Sequence, residues 1–103
     1  MTIHWSHQAQ QQQDQAAEYI YTEFGAKAVI DFYRRIDKIE TELMTFTEMG
    51  VIEPLLVNRS RLYRSVVVHR LNKLVYTIES DHIQVVALWD TRREPKSLVN
   101  DIH

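Results

Sequence analysis

The hydrophobic period of the chain changes at Gly50, and that change limits the folds open to it. Upstream, Val29, Phe32, Tyr33, Ile36, Ile39, Leu43 and Phe46 recur at steps of three and four, with one adjacent pair. A stripe this wide docks a helix against both a sheet and a neighbouring helix. Downstream come three short runs, RLYRSVVVH, KLVYTIES and HIQVVALWD, crowded with β-branched and aromatic side chains. The links between them, RLN and SD, are short enough for hairpins, which predicts a three-stranded antiparallel meander. Helices followed by strands make an α+β domain of two layers.

Both ends of the chain carry similar local signals. TIHWS puts Ile3 and Trp5 on one face of a short N-terminal strand, and Ser6 is a good N-cap for a helix beginning at the next residue. This first helix is expected to run to about Phe24, with Ala9, Gln13, Ala16, Ala17, Ile20 and Phe24 on its apolar stripe and Tyr21 joining it. Gly25 stops it, because glycine adopts positive φ without steric cost. With only Gly25 and Ala26 as a turn, the two helices should form an antiparallel hairpin. The glutamine-rich stretch QAQQQQDQ reads as a solvated helix face. Asp31, Arg34, Arg35, Asp37, Lys38 and Glu42 likewise read as solvated charges on the second helix. VIEPLLVNRS, with Pro54 and Asn58, is expected to be an irregular connection whose leucines cover one edge of the core. In the last run Ile83, Val85, Ala87 and Trp89 share one face by strict alternation, Trp89 closing the core. A short helix is expected after Pro95.

Composition bounds the function. The 103 residues suit one domain spanning 1–103, and 45% hydrophobic with 25% charged residues can bury a core. The absence of cysteine removes thiolate zinc sites and thiol catalysis. No run approaches a bilayer span and MTIHWSHQAQQQQ lacks the pattern of a signal peptide, so a cytoplasmic location without membrane association is expected. His4 and His7 have no evident third partner, so no metal site and no cofactor are expected. The net charge of −2 hides an asymmetry: residues 1–54 hold four basic and nine acidic side chains, residues 55–103 eight and five. The second half can therefore present a cationic patch despite the acidic total.

Four stretches, HWSHQAQQQQDQAAEYIYTEFGAKAVIDFYRRI, YRSV, NKLVYTIESDHIQVVALWD and TRREP, resemble in order and spacing the RelE/ParE superfamily of toxins from type II toxin–antitoxin modules. The likeness covers nearly the whole chain. It implies an N-terminal strand, a helical hairpin and a meander, and two different chemistries. RelE-like members are ribosome-dependent endoribonucleases that cut messenger RNA with a basic cluster and often a C-terminal tyrosine or histidine. On that pattern Arg64, Lys73 and Arg93 fall at basic positions, with His69 or His82 available for proton transfer. Val66 stands where a second lysine is usual, and Leu98 and Val99 stand near the tyrosine position.

ParE-like members inhibit DNA gyrase by binding, and the RREP ending and acidic net charge are closer to that branch. Either target would be met by Arg64, Arg70, Lys73, Arg92 and Arg93, which form one cationic edge if the strands bring them together. The resemblance also implies a cognate antitoxin, for which Tyr19, Tyr21, Met49 and Tyr63 are candidate contacts, and operator DNA reached indirectly through that antitoxin. A non-toxic interaction domain of the same fold stays open beside both.

Overall fold

The computed structural model describes residues 1–69, 71–93 and 95–102, with Pro95 described by its backbone alone. The order is β1 (Thr2–Trp5), α1 (His7–Phe24), α2 (Ala26–Thr45), β2 (Val51–Ile52), a 3-10 turn (Pro54–Leu56), β3 (Tyr63–His69), β4 (Asn72–Ile78), β5 (His82–Asp90) and α3 (Pro95–Asp101). Ser6 caps α1 by accepting the Ala9 amide at 3.0 Å, satisfying a donor that has no partner within the helix. Gly25 (φ 90°) ends α1 and alone joins it to α2, so Ala26 is already helical rather than part of the turn. Positive φ is why glycine stands there.

The five strands lie in the order β1-β5-β4-β3-β2. Two features go beyond the expected meander. Val51–Ile52 forms a short edge strand opposite Ser65 and Arg64 where an irregular connection was expected. Its two residues, followed by Pro54, are too few to show periodicity. The N-terminal strand pairs in parallel with β5, Thr2 opposite His82 and Trp5 opposite Val85. Beyond Trp5 the edge of β5 is capped by α1 instead, as Gln12 Oε1 accepts the Leu88 amide at 2.9 Å. One glutamine of the polar stretch therefore terminates a sheet edge rather than facing only solvent.

Apolar residues fill both faces of the sheet. On the helix face Phe32, Ile36, Ile39 and Leu43 from α2 meet Leu74, Tyr76, Ile83, Val85 and Leu88. On the far face the 3-10 turn and α3 contribute Leu56, Leu98 and Ile102, which pack with Tyr63, Val75, Ala87 and Trp89. Strict alternation along β5 fails at Val86. Val75 is opposite Ala87 but Tyr76 is opposite Val85, so Val86 is the extra residue of a bulge. The bulge changes which parity faces the helices: Ile83 and Val85 stay with them, and Ala87 and Trp89 turn to the far face.

The helix stripes end sooner than their periodicity. Tyr21, Phe24 and Phe46 are exposed, and Tyr33 is only partly covered. The surface ion pairs on α2 are Lys27–Asp31 and Lys38–Glu42; Arg35 donates instead to the Val67 carbonyl on β3. Between α2 and β2, Tyr76 locks the chain. Its hydroxyl donates to the Thr47 carbonyl at 2.7 Å and accepts the Gly50 amide at 3.0 Å. A Cβ at residue 50 would lie 2.8 Å from the Tyr76 ring and 2.9 Å from the Ser65 carbonyl, so the period changes at the residue where the backbone must pass closest to the sheet.

Candidate functional site

The basic residues expected to form one cationic edge are divided by the sheet. Arg64 lies opposite Tyr76, whose side chain is on the helix face, and residues directly opposite on paired strands share a face. There Arg64 donates to the Gly50 carbonyl at 2.8 Å and the Glu48 carbonyl at 3.3 Å, tying down the chain after α2. Lys73 lies opposite Trp89 and so points to the far face. It meets the fully buried carboxylate of Glu53 at 2.8 Å. Burial by itself would push the Glu53 carboxyl up, but Lys73 first, with the nearby Ser65 hydroxyl and the Leu55 amide, outweighs it and holds it below the usual carboxylate range. Its other oxygen, Oε2, has no hydrogen-bond partner. Arg64 and Lys73 thus act as internal braces on opposite faces. The sequence holds no signal for Glu53, which is 20 residues from its partner. Arg70 lies outside the described residues.

Arg92 and Arg93 sit where β5 ends, four residues along β4 from the Arg64 position. The two adjacent side chains grip opposite layers. Arg92 donates to Asp90 through Nε (3.1 Å) and NH2 (2.8 Å), and through NH1 to the Tyr19 hydroxyl on α1 (2.9 Å). Its guanidinium carbon stands 4.6 Å from the Tyr19 ring centroid, and its backbone amide also donates to Asp90. These hydrogen bonds, the side-chain one first, hold the Asp90 carboxyl below its usual range. Arg93 reaches the far side, lying 4.9 Å from the Trp89 ring centroid and 3.9 Å from Asp101 on α3. Asp90 and Tyr19 are participants that the arginine pair did not by itself reveal. The spacing of Asp90 and Arg92 in WDTRR was the available signal, since an aspartate commonly bonds the backbone two residues on.

Beside this turn a groove runs between the helical hairpin and the end of the sheet. A cavity of about 190 Å³ is lined by Gln12, Tyr19, His69, Asn72, Arg92 and Arg93 among others. Ile20, Phe24 and His69 also line a second cavity, of about 370 Å³, that continues past Phe32 to Arg35. His69 is exposed and faces both. His82 is at the other end of β5, stacked on His4 at 4.5 Å and paired with Asp81 at 2.7 Å. That hydrogen bond raises the His82 pKa.

The antitoxin candidates do not make one surface. Tyr19 lines the groove at the turn of the hairpin, whereas Tyr21, two residues on along α1, is exposed and outside the groove lining. Met49 lies beyond the other end of α2, whose 20 residues span about 30 Å. Tyr63 is 5% exposed and belongs to the far-face core, because it opens β3 with its side chain over Leu56. Val66 packs against the helix-face core and Leu98 is fully buried, so neither supplies the polar group of a ribonuclease at its position. Among the described residues no helix is long and apolar enough to cross a membrane.

Comparison with known proteins places this geometry. No curated protein matches the chain. Among solved structures, the chromosomal ParDE toxin–antitoxin system from P. aeruginosa superimposes with a TM-score of 0.69 at 14% identity, covering 87% of this chain and 95% of that one. The YoeB dimer from Staphylococcus aureus gives 0.59 at 20% identity, covering 85% and 93%. At such identities these likenesses establish the fold. The family model of the ParE toxin of type II toxin–antitoxin systems, parDE, matches residues 3–95, and on that match the chain belongs to the ParE toxin family.

Proposed function

We propose that this toxin acts by binding DNA gyrase, makes and breaks no bonds itself, and is neutralised by a cognate antitoxin that also links it to operator DNA. The observation that carries the non-catalytic reading is the separation of Arg64 from Lys73. Transcript cleavage needs a base for the ribose 2′-hydroxyl, an acid for the leaving oxygen and cations aimed at one phosphate. Arg64 and Lys73 point to opposite faces, and each is occupied by a partner within the chain. An inhibitor needs only a rigid surface with anchors and charges, which the groove and the exposed Arg93 supply.

One observation favours a second reading, a ribosome-dependent ribonuclease: His69 lines the same cavity as Arg92 and Arg93, so a titratable group stands beside cations. The two readings part in a cell extract. With added protein, supercoiling of plasmid by gyrase is expected to fall while translation continues and messenger RNA stays intact. Ribosome-dependent cuts that disappear in His69→Ala would replace the first reading with the second. Controlled expression in bacteria is expected to arrest growth, and co-expression of the cognate antitoxin to restore it.

A further inference from the structure

The geometry points to a division of labour between the adjacent arginines: Arg92 is a positioning residue, the centre of an Asp90–Arg92–Tyr19 clasp that fixes the turn after β5, while Arg93 is the arginine offered to the target. In its functional readout this rests on the proposed binding activity.

Arg92 has three of its five side-chain N–H donors committed within the chain. Two go to Asp90 in the parallel geometry by which a guanidinium fork matches a carboxylate, and another goes to Tyr19. A partner carboxylate or phosphate could take the Nε–NH2 fork only by displacing Asp90. The clasp also joins two elements far apart in sequence, since Tyr19 lies on α1 and Asp90 ends β5. Around it the backbone is already organised: the Thr91 amide donates to the Leu71 carbonyl at 2.8 Å and the Arg93 amide to the Asp90 carbonyl at 3.0 Å. Arg92 thus sets the direction in which Arg93 leaves the sheet.

Arg93 differs in its hydrogen bonding. Among the described residues its ion pair is a long one, 3.9 Å to Asp101, and although the two arginine side chains are equally open, 47% against 46% exposed, Arg93 has no short side-chain hydrogen bond there. Trp89 supports the guanidinium from one side, which restricts its rotamers without occupying its hydrogen-bond directions. It is a pre-oriented cation with donors to spare, the state that suits contact with an anionic group on a protein partner.

Freeing Arg92 separates the two roles. If Arg92 touched the target, Asp90→Asn and Tyr19→Phe would release its donors and leave inhibition intact or improved. As a clasp, all three members act as a unit. Arg92→Ala, Asp90→Asn and Tyr19→Phe are each expected to weaken gyrase inhibition by about tenfold, with the Arg92→Ala/Tyr19→Phe double variant no weaker than Arg92→Ala. Amide exchange at Thr91 and Arg93 should quicken in the three clasp variants and stay unchanged in Arg93→Ala, all four keeping the wild-type melting temperature. Full potency in Asp90→Asn or Tyr19→Phe beside lost potency in Arg92→Ala would make Arg92 the contact and overturn the clasp. Unchanged exchange would overturn it as well. Should the wild-type protein leave gyrase untouched, the gyrase reading fails, and the exchange comparison still decides the clasp.

Discussion

The two faces of the sheet are held together by different physics. The helix face is an apolar contact between two long amphipathic helices and three strands, with Ile39, Leu43, Leu74, Ile83 and Val85 fully buried. The far face is smaller, assembled from a 3-10 turn, three strands and a seven-residue helix, and at its edge it encloses a carboxylate with one lysine for company. Uniform apolar packing tolerates change in proportion to the volume removed. A buried charge that loses its partner is penalised out of proportion to its size. The contrast explains why Lys73, a basic residue that the RelE-like pattern would enlist, is tied up here as the counter-ion of Glu53.

The largest expected effect is on the helix face. Ile39→Ala should destabilise the fold by about 4 kcal/mol in urea denaturation, as a wholly buried β-branched side chain leaves a cavity. A loss under about 1 kcal/mol would mean that this face is not the main core. On the far face, Lys73→Ala should cost about 3 kcal/mol, because Glu53 would be left buried without its counter-charge. Replacing both residues with apolar side chains should recover part of that loss. Additive losses in the double variant would show that each contributes by packing alone.

The same pair sets an acid limit. Glu53 is held below its ordinary value of 4.5 in the folded protein. Its stabilising contribution is complete above that value and disappears as pH falls through the lower folded one. Melting temperatures measured downward from about pH 5 should drop in the wild type and drop less steeply in Glu53→Gln. An identical slope would remove the pair from the acid response. Smallest in stability is the Arg92→Ala/Arg93→Ala variant, whose melting temperature should match the wild type because both side chains are near half exposed. Its toxicity should nevertheless be lost, and retained toxicity would move the contact surface elsewhere.

How much of this was legible in the sequence depends on the same contrast. The helical hairpin was, because its signals are local and repeated: a Ser6 cap, two stripes at helical spacing and a glycine between them. The positions of β3, β4 and β5 were equally plain from their composition. The far-face core was not, since Leu56, Trp89 and Leu98 come from three separate segments and no single window shows their meeting. Val86 shows a second limit. A bulge is a property of the pairing between two strands, so one strand's alternation cannot announce it, and Ala87 and Trp89 were placed on the wrong side. For the site, the arginine pair at the end of β5 stood out in the sequence, whereas the partners that give each arginine its role, Tyr19 and Asp101, are distant in sequence from Arg92 or belong to the next helix. Chain separation hid the division of Arg64 from Lys73 for the same reason, as it depends on strand register.

The central claim, inhibition by binding without chemistry, is tested most directly by titrating the purified toxin into a defined supercoiling reaction of gyrase, ATP and relaxed plasmid. A stoichiometric binder should inhibit in proportion to the gyrase present, reach its limit near equimolar toxin, and be reversed by adding the antitoxin. The claim is contradicted if gyrase retains full activity at a large molar excess of toxin while a ribosome-containing reaction from the same preparation accumulates cleaved messenger RNA at amounts of toxin far below those of the transcript.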